Sequence, residues 1–429
     1  MTSQEPPQKT ESILIIGAGV FGLSTAWELA QRGYHNITVV DRYLPPVPDG
    51  SSVDVSRIIR IDYADSLYAQ MAREAYAEWC TTFADHYFGS GFVQLAKRSG
   101  NAYIEESQKT SQGLGQSTIE YPDAEAVRKV YPSIQANLDG LKAYNNPRGG
   151  WANAETAIRK LATNCSAVGV SFITGSRGRV ISLRYEGKSV VGVNVADGGR
   201  LLASRVILST GAWTNTLVPI ESASTASGQP VGFIQLTPEE AKSIEKMPVI
   251  INLSTGVFCF PPTPETNLLK IARHGYGFAT KAPVAYGNNL VSTPRSDKSN
   301  AESSYLPDDA DDALREGLGQ LLPQFANRPW LRRRLCWYSD TPEGHFVVDH
   351  HPEIAGLFLA TGGAGHAFKF LPVLGRYISD CFENKASEEL RQKWRLRLPN
   401  GQSVAAKKGD GSRGGPPLRV LSKLEQAKL

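Results

Sequence analysis

The chain has 429 residues, 41% of them hydrophobic, and a net charge of +4. That length supports a large core and two domains. The small, scattered positive charge excludes a dedicated nucleic-acid binder, and no apolar run approaches the ~20 residues of a membrane span. Residues 1–11 are polar, contain prolines and lack a secretory core, so they are expected to be a flexible leader. The first structured unit follows. Ile13-Leu14-Ile15-Ile16 reads as a buried parallel strand, Gly17, Gly19 and Gly22 follow as G-x-G-x-x-G, and a helical pattern starts at once. A second strand, Ile37-Thr38-Val39-Val40, ends at Asp41. Strand, glycine turn, helix and terminal acid together form a dinucleotide-binding fingerprint. The glycines permit the tight turn, close approach of a pyrophosphate and close packing of helix on strand. The phosphates would sit on the helix N-terminus, and Asp41 would accept from a ribose diol. The motif alone leaves NAD and FAD both open.

Further along, Ser51 to Asp65 carries Arg57 and Arg60 three residues apart, on one helical face or at a strand entry. Ser66 to Phe83 has helical apolar spacing, and Phe92 to Leu95 reads as a strand. Asn153 is a candidate N-cap for a helix running to about Ala162. Val170–Phe172, Arg179–Arg184 and Val190–Asn194 alternate like strands, and Val206–Leu208 is a buried strand ending in a small-residue turn. From Gly228 to Leu335 prolines break the chain into short units, read as a second, antiparallel domain. Asp308 to Leu322 is an acidic-start helix. Ile354–Ala360 is again a buried strand, followed by Gly362-Gly363-Ala364-Gly365 and a helix. This second glycine turn suits backbone approach to a ligand. The order suggests a first domain completed by the C-terminal segment, with a substrate domain inserted.

Cys80, Cys165, Cys259, Cys336 and Cys381 form no C-x-x-C pair. That pattern points to a reducing compartment and no metal site. The tail from Lys407 to Arg419 is rich in Gly, Lys and Pro and is expected to be flexible. It leads to Ala427-Lys428-Leu429, a conservative variant of the peroxisomal address Ser-Lys-Leu. The expected location is therefore the peroxisome, with an import receptor as partner and the cytoplasm as the alternative.

Four blocks, Ile15–Asp41, Ser51–Arg60, Ser209–Asn215 and Leu335–Gly375, resemble the flavin-dependent amine oxidases of the sarcosine oxidase and D-amino-acid oxidase superfamily. The similarity is greatest to the branch with monomeric sarcosine oxidase, pipecolate and saccharopine oxidases and the fungal fructosyl-amino-acid oxidases. The most specific block is Cys336-Trp337-Tyr338-Ser339-Asp340-Thr341-Pro342 with Gly362 to Lys369. The resemblance implies an α/β fold: a glutathione-reductase-like FAD-binding Rossmann domain (12–85, 147–227 and 336–385) with an inserted antiparallel-sheet substrate domain (86–146 and 228–335). Residues 1–11 and 400–429 remain as flexible termini.

The resemblance also implies roles. FAD would be tethered covalently through Cys336. It would be surrounded by Gly17, Gly19, Val20, Phe21, Gly22, Asp41, Arg42, Ser51, Ser52, Arg57, Val180, Ala212, Trp213, Gly363, Gly365, His366, Phe368 and Lys369. Arg60 and Lys369 would clamp a substrate carboxylate, since Arg is bidentate and Lys a point charge. Lys270 would stand over the flavin face to assist O2, with Arg57 and His274 as further catalytic groups. The implied reaction is oxidation of a secondary amine of an N-alkyl or cyclic α-amino acid by a monomer, with O2 reduced to H2O2. Arg57 and His274 depart from the fructosyl-amino-acid oxidase pattern, which remains an alternative. So do a biosynthetic tailoring amine oxidase acting on a larger amine and a flavin-binding protein without turnover.

Overall fold

A computed structural model of the chain describes residues 5–116, 118–220, 223–284, 286, 290–295, 303–398 and 409–429. A six-stranded sheet carries β1 (Ile13–Ile16) beside β2 (Ile37–Val40), and Ser171–Ile173 lies beyond β2. On the other side of β1 come Arg205–Leu208, Leu357–Thr361 and the antiparallel edge strand Val347–His350. All four β1 side chains are at most 3% exposed. A strand buried on both faces is apolar throughout, and each such side chain contributes about 1.5–3 kcal/mol on burial. Between the two strands α1 (Val20–Gln31) crosses over. Gly17 has φ +108°, and a Cβ there would meet the Ser209 carbonyl oxygen at 2.4 Å; a Cβ on Gly22 would meet the Gly17 carbonyl oxygen at 1.9 Å. Both glycines are thus steric requirements of the turn and of helix–strand contact.

A ten-stranded sheet forms the second layer, mainly antiparallel, with two parallel pairings, Phe92–Lys97 with Val249–Asn252 and Phe278–Ala279 with Arg419–Val420. It contains Leu268–Arg273, which bears Lys270, and Arg332–Asp340, which bears Cys336. The latter pairs with Thr225–Gln235 from Thr225↔Asp340 to Phe233↔Arg332. The boundary expected at 335/336 therefore falls inside one continuous strand, and residues 336–340 belong to this sheet. A small third sheet joins Arg57–Ile59, Gly150–Ala152 and Tyr87–Phe88. Phe88 stacks on Trp151, centroids 4.1 Å apart and planes at 11°, which fixes Tyr87–Phe88 against Gly150–Ala152. Asn153 caps Ala154–Ala167, its side chain accepting from Thr156 N at 3.2 Å.

The ends differ from expectation. In the leader, Lys9 pairs with Glu383 at 2.7 Å and Glu11 with Arg205 at 3.2 Å. Residues 400–408 of the tail lie outside the described residues, but 409–429 are docked. Arg419–Val420 adds a strand beside Phe278–Ala279, and Lys423–Lys428 forms a helix opened by a Ser422–Glu425 capping box. Leu421 and Leu429 are 2% and 4% exposed. The composition that reads as a linker instead lets the backbone pass close to the substrate sheet, where Gly414 N donates to the His274 carbonyl and Gly415 N to that of Ser254.

Candidate functional site

A long cavity of about 230 Å³ runs from the end of β1 along the N-terminus of α1. It ends at the carboxyl edge of the parallel strands, where open α/β sheets bind ligands. Gly17, Gly19, Val20, Phe21, Asp41, Arg42, Ser51, Ser52, Arg57, Val180, Ala212, Trp213, Gly363, Gly365, His366 and Phe368 all border it. Gly22 does not; it lies beneath the turn, in the packing contact described above. A second cavity of about 100 Å³ adjoins the first, and the two share Arg57, Tyr338, Gly365, His366 and Phe368. Cys336, Arg60, Lys270, His274 and Lys369 line this smaller cavity. Residues from four distant blocks thus meet at one junction.

At that junction Arg57 donates from Nη2 to Cys336 Sγ at 3.6 Å and from Nη1 to Asp54 at 2.6 Å. Lys270 Nζ pairs with the same Asp54 oxygen at 2.9 Å and donates to the Ser56 carbonyl at 2.7 Å. Arg334 reaches Asp54 at 3.4 Å. Of the Arg332-Arg333-Arg334 run only Arg334 turns inward; Arg333 pairs with Asp311 and Arg332 lies over Phe233. Asp54 is thus the hub of three cations. Burial pushes its carboxyl up, but Lys270, Arg57 and Arg334 outweigh this and hold it well below the usual carboxylate range. Burial lowers Lys270 to about 7 in spite of Asp54. Sequence reasoning did not single out Asp54, which reads only as one of three acids, with Asp62 and Asp65, that could pair with the arginines at the surface.

Arg60 and Lys369 stand together over Tyr63, their charges 4.3 Å and 5.4 Å from its ring centroid. Arg60 Nη2 donates to Tyr103 at 2.7 Å, while Nη1 is buried without a hydrogen-bond partner. Lys369 Nζ donates to the His366 carbonyl at 2.8 Å. Burial, reinforced by Arg60, lowers its ammonium well below the ordinary range. An anion between them would supply the missing acceptor and restore the lysine's charge. His274 faces Ser412 at 3.0 Å and Tyr338 at 3.3 Å. His366 faces Tyr63 at 3.1 Å and the Gly344 carbonyl at 2.8 Å. Burial holds both imidazoles down to about 3, so both are neutral at pH 7. Ser412 comes from the tail, a contribution the sequence reading did not anticipate.

Residues 12–381 match the family described as DAO, FAD dependent oxidoreductase. The chain belongs to this family. It is 34% identical over 412 residues to L-saccharopine oxidase of Schizosaccharomyces pombe, covering 90% of this chain and 93% of that protein. It is 24% identical to monomeric sarcosine oxidase of a Bacillus species, covering 86% and 91%. Among solved structures it is similar to fructosamine oxidase (Amadoriase II) from Aspergillus fumigatus, at TM-score 0.83, 29% identity and 96% coverage of both chains. The long cavity of this FAD dependent oxidoreductase fits the cofactor. The first turn of α1 has no acidic side chain and no side-chain bond from its N-cap; Val20 N donates to Ser52 Oγ at 2.9 Å, and the other backbone donors of the turn suit a pyrophosphate. Asp41 is fixed at the end of β2 by accepting from Ala18 N at 2.8 Å and Arg42 N at 2.7 Å. Among the described residues no helix is long and apolar enough to cross a membrane.

Proposed function

We propose that the protein oxidises secondary amines of α-amino acids, of the N-alkyl or cyclic kind, at the expense of O2. The observation that carries this is the unsatisfied Arg60 Nη1 beside Lys369, an anion clamp next to the junction of the two cavities. FAD, when bound, supplies the two-electron acceptor for the C–H bond next to the amine nitrogen and passes the pair to O2, giving H2O2. The chain's own groups orient and charge the site. Arg60 and Lys369 hold the carboxylate, which places the adjacent carbon toward the shared wall of the two cavities. Neutral His274 and His366 add no charge to the cavity. No strong base is needed, because a neutral amine releases hydride directly. The product imine then takes up water and separates into amine and carbonyl compound, or cyclises.

A peroxide-release screen across N-methyl amino acids, pipecolate and saccharopine tests this reading; no peroxide from any of them refutes it. Lys369→Ala is expected to raise KM for an accepted carboxylate substrate by ten- to a hundredfold, on the order of one charge-assisted hydrogen bond. An unchanged KM would remove Lys369 from the clamp. Fructosyl-amino-acid oxidation is the second reading, favoured by the Amadoriase II likeness. Release of peroxide from a fructosyl amino acid, and not from N-methyl amino acids, would establish it.

Covalent attachment of the cofactor through Cys336 is part of the proposal, supported by the thiol's place at the cavity junction and by the Arg57 donor at 3.6 Å. Acid precipitation of the wild type should leave the yellow colour in the pellet. With Cys336→Ala the colour should move to the supernatant, and acid-stable flavin in the variant would refute the tether. We further propose that this chain acts as a monomer, since its own residues line both cavities. Ala427-Lys428-Leu429 would serve as a receptor-read peroxisomal address. Leu429 is 4% exposed, so the receptor must lift the last helix to read it. Imaging the tagged chain with and without Leu429 tests this; identical distributions exclude the signal.

A further inference from the structure

The tail forms one wall of the substrate cavity. Ser412 lines it, opposite His274. Two residues earlier the chain passes into an adjoining chamber of about 230 Å³ bordered by Tyr63, Tyr103, His345, His366 and Asp410. Tyr103 and His366 border both spaces, so the two meet at these side chains. Asp410 is held in position by its own segment: Oδ1 accepts from Ser412 N at 3.0 Å and from Ser412 Oγ at 2.5 Å. Its other oxygen, Oδ2, is buried without a hydrogen-bond partner. Arg60 Nη1 is in the same state, while Arg60 Nη2 donates to Tyr103. The site therefore presents a buried donor lacking an acceptor and a buried acceptor lacking a donor, and the two do not satisfy each other. Buried polar groups seldom stay unpaired in the working state of a protein. A ligand that completes both must carry a carboxylate and, some atoms away, an N–H donor, best as a cation against a buried carboxylate.

We propose that Asp410 is a specificity-determining residue that accepts a hydrogen bond from an ammonium group on the substrate's side chain. The enzyme then selects N-alkylated amino acids bearing a second, remote cationic nitrogen. This rests on the amine-oxidase reading above and names its substrate class. With Arg60 and Lys369 facing the substrate carboxylate and Asp410 facing the ammonium, each end of the ligand meets the opposite charge. A substrate with a second carboxylate at the Asp410 end meets a like charge and is rejected.

The test uses the flavin-loaded full chain with Nα-methyl-L-lysine and Nα-methyl-L-norleucine, which share a side-chain path but differ in the terminal ammonium. The wild type should have a KM at least tenfold lower for the lysine analogue. Anaerobic calorimetry should give the same ratio in Kd, independent of turnover. In Asp410→Asn the ratio should collapse toward one, through KM rather than kcat. Asp410→Glu, which keeps the charge, should restore part of it and controls for damage to the tail. Equal affinities in the wild type, or equal loss for both analogues in Asp410→Asn with no rescue by Glu, would overturn the proposal. If sarcosine or pipecolate is oxidised but the lysine analogue is not bound, the specificity proposal fails and the amine-oxidase reading stands. If no secondary amine reduces the flavin, both fail together.

Discussion

Replacing Lys270 by Met should slow reoxidation of the reduced enzyme by O2 by on the order of 10²–10³-fold, the scale of losing one preorganised electrostatic partner. Flavin reduction by substrate should change far less. The reasoning is geometric and electrostatic. Lys270 is 2% exposed, beside Phe260 and at the wall shared with Cys336. A fixed cation in so dry a place stabilises negative charge as it develops on oxygen, with no reorganisation of water. The lysine's proton is present below its ionisation near pH 7 and lost above it. The wild-type oxygen step should therefore slow as pH rises through that range, and Lys270→Met should flatten the profile. Stopped-flow mixing of reduced enzyme with O2 separates the two half-reactions. Equal slowing of both steps would remove Lys270 from this role.

The second large effect concerns Asp54. Asp54→Asn removes the one carboxylate that Lys270, Arg57 and Arg334 share. Breaking a buried ion pair by removing one partner costs about 3–5 kcal/mol, because the remaining charge is left uncompensated. Here Arg57 and Arg334 would lose their shared anion, and Lys270 would be left buried without the carboxylate that supports its charge. A comparable loss should appear as a lower denaturation midpoint in guanidinium with an unchanged slope. Combining Asp54→Asn with Lys270→Met should recover part of it, because the buried amine stranded without its partner is replaced by an apolar side chain. A double variant as unstable as the sum of the singles would show that Asp54 does not act through Lys270.

Much of the nucleotide domain was legible because its signals are local. Ile13–Ile16, the glycine turn and Asp41 specify one another within a single βαβ unit, and Asn153 announces its helix by a capping side chain. The substrate side was harder. Lys270, Cys336 and Lys369 were singled out through resemblance alone, since nothing in their own neighbourhoods separates them from structural residues. Asp54 and Asp410 were missed for a common reason. Asp54 takes its meaning from Lys270 and Arg334, far along the chain, and Asp410 from a tail whose docking onto distant elements no local signal announces. The tail misled because glycine-rich composition suits both a free end and a backbone squeezed between neighbours. The strand Arg332–Asp340 crossed the expected domain boundary because pairing is a non-local choice.

The three-residue strand Arg57–Ile59 has a consequence for how the enzyme can be altered. It contains Arg57, and Arg60 follows immediately. Side chains an odd number of positions apart in an extended segment face opposite ways. Arg57 accordingly reaches Asp54 and Cys336, whereas Arg60 reaches Tyr63 and Tyr103. A shift of one residue in the pairing with Gly150–Ala152 would turn the strand over and exchange these destinations. The pairing from Arg57↔Ala152 to Ile59↔Gly150 is therefore the index pin that keeps two arginines from trading places.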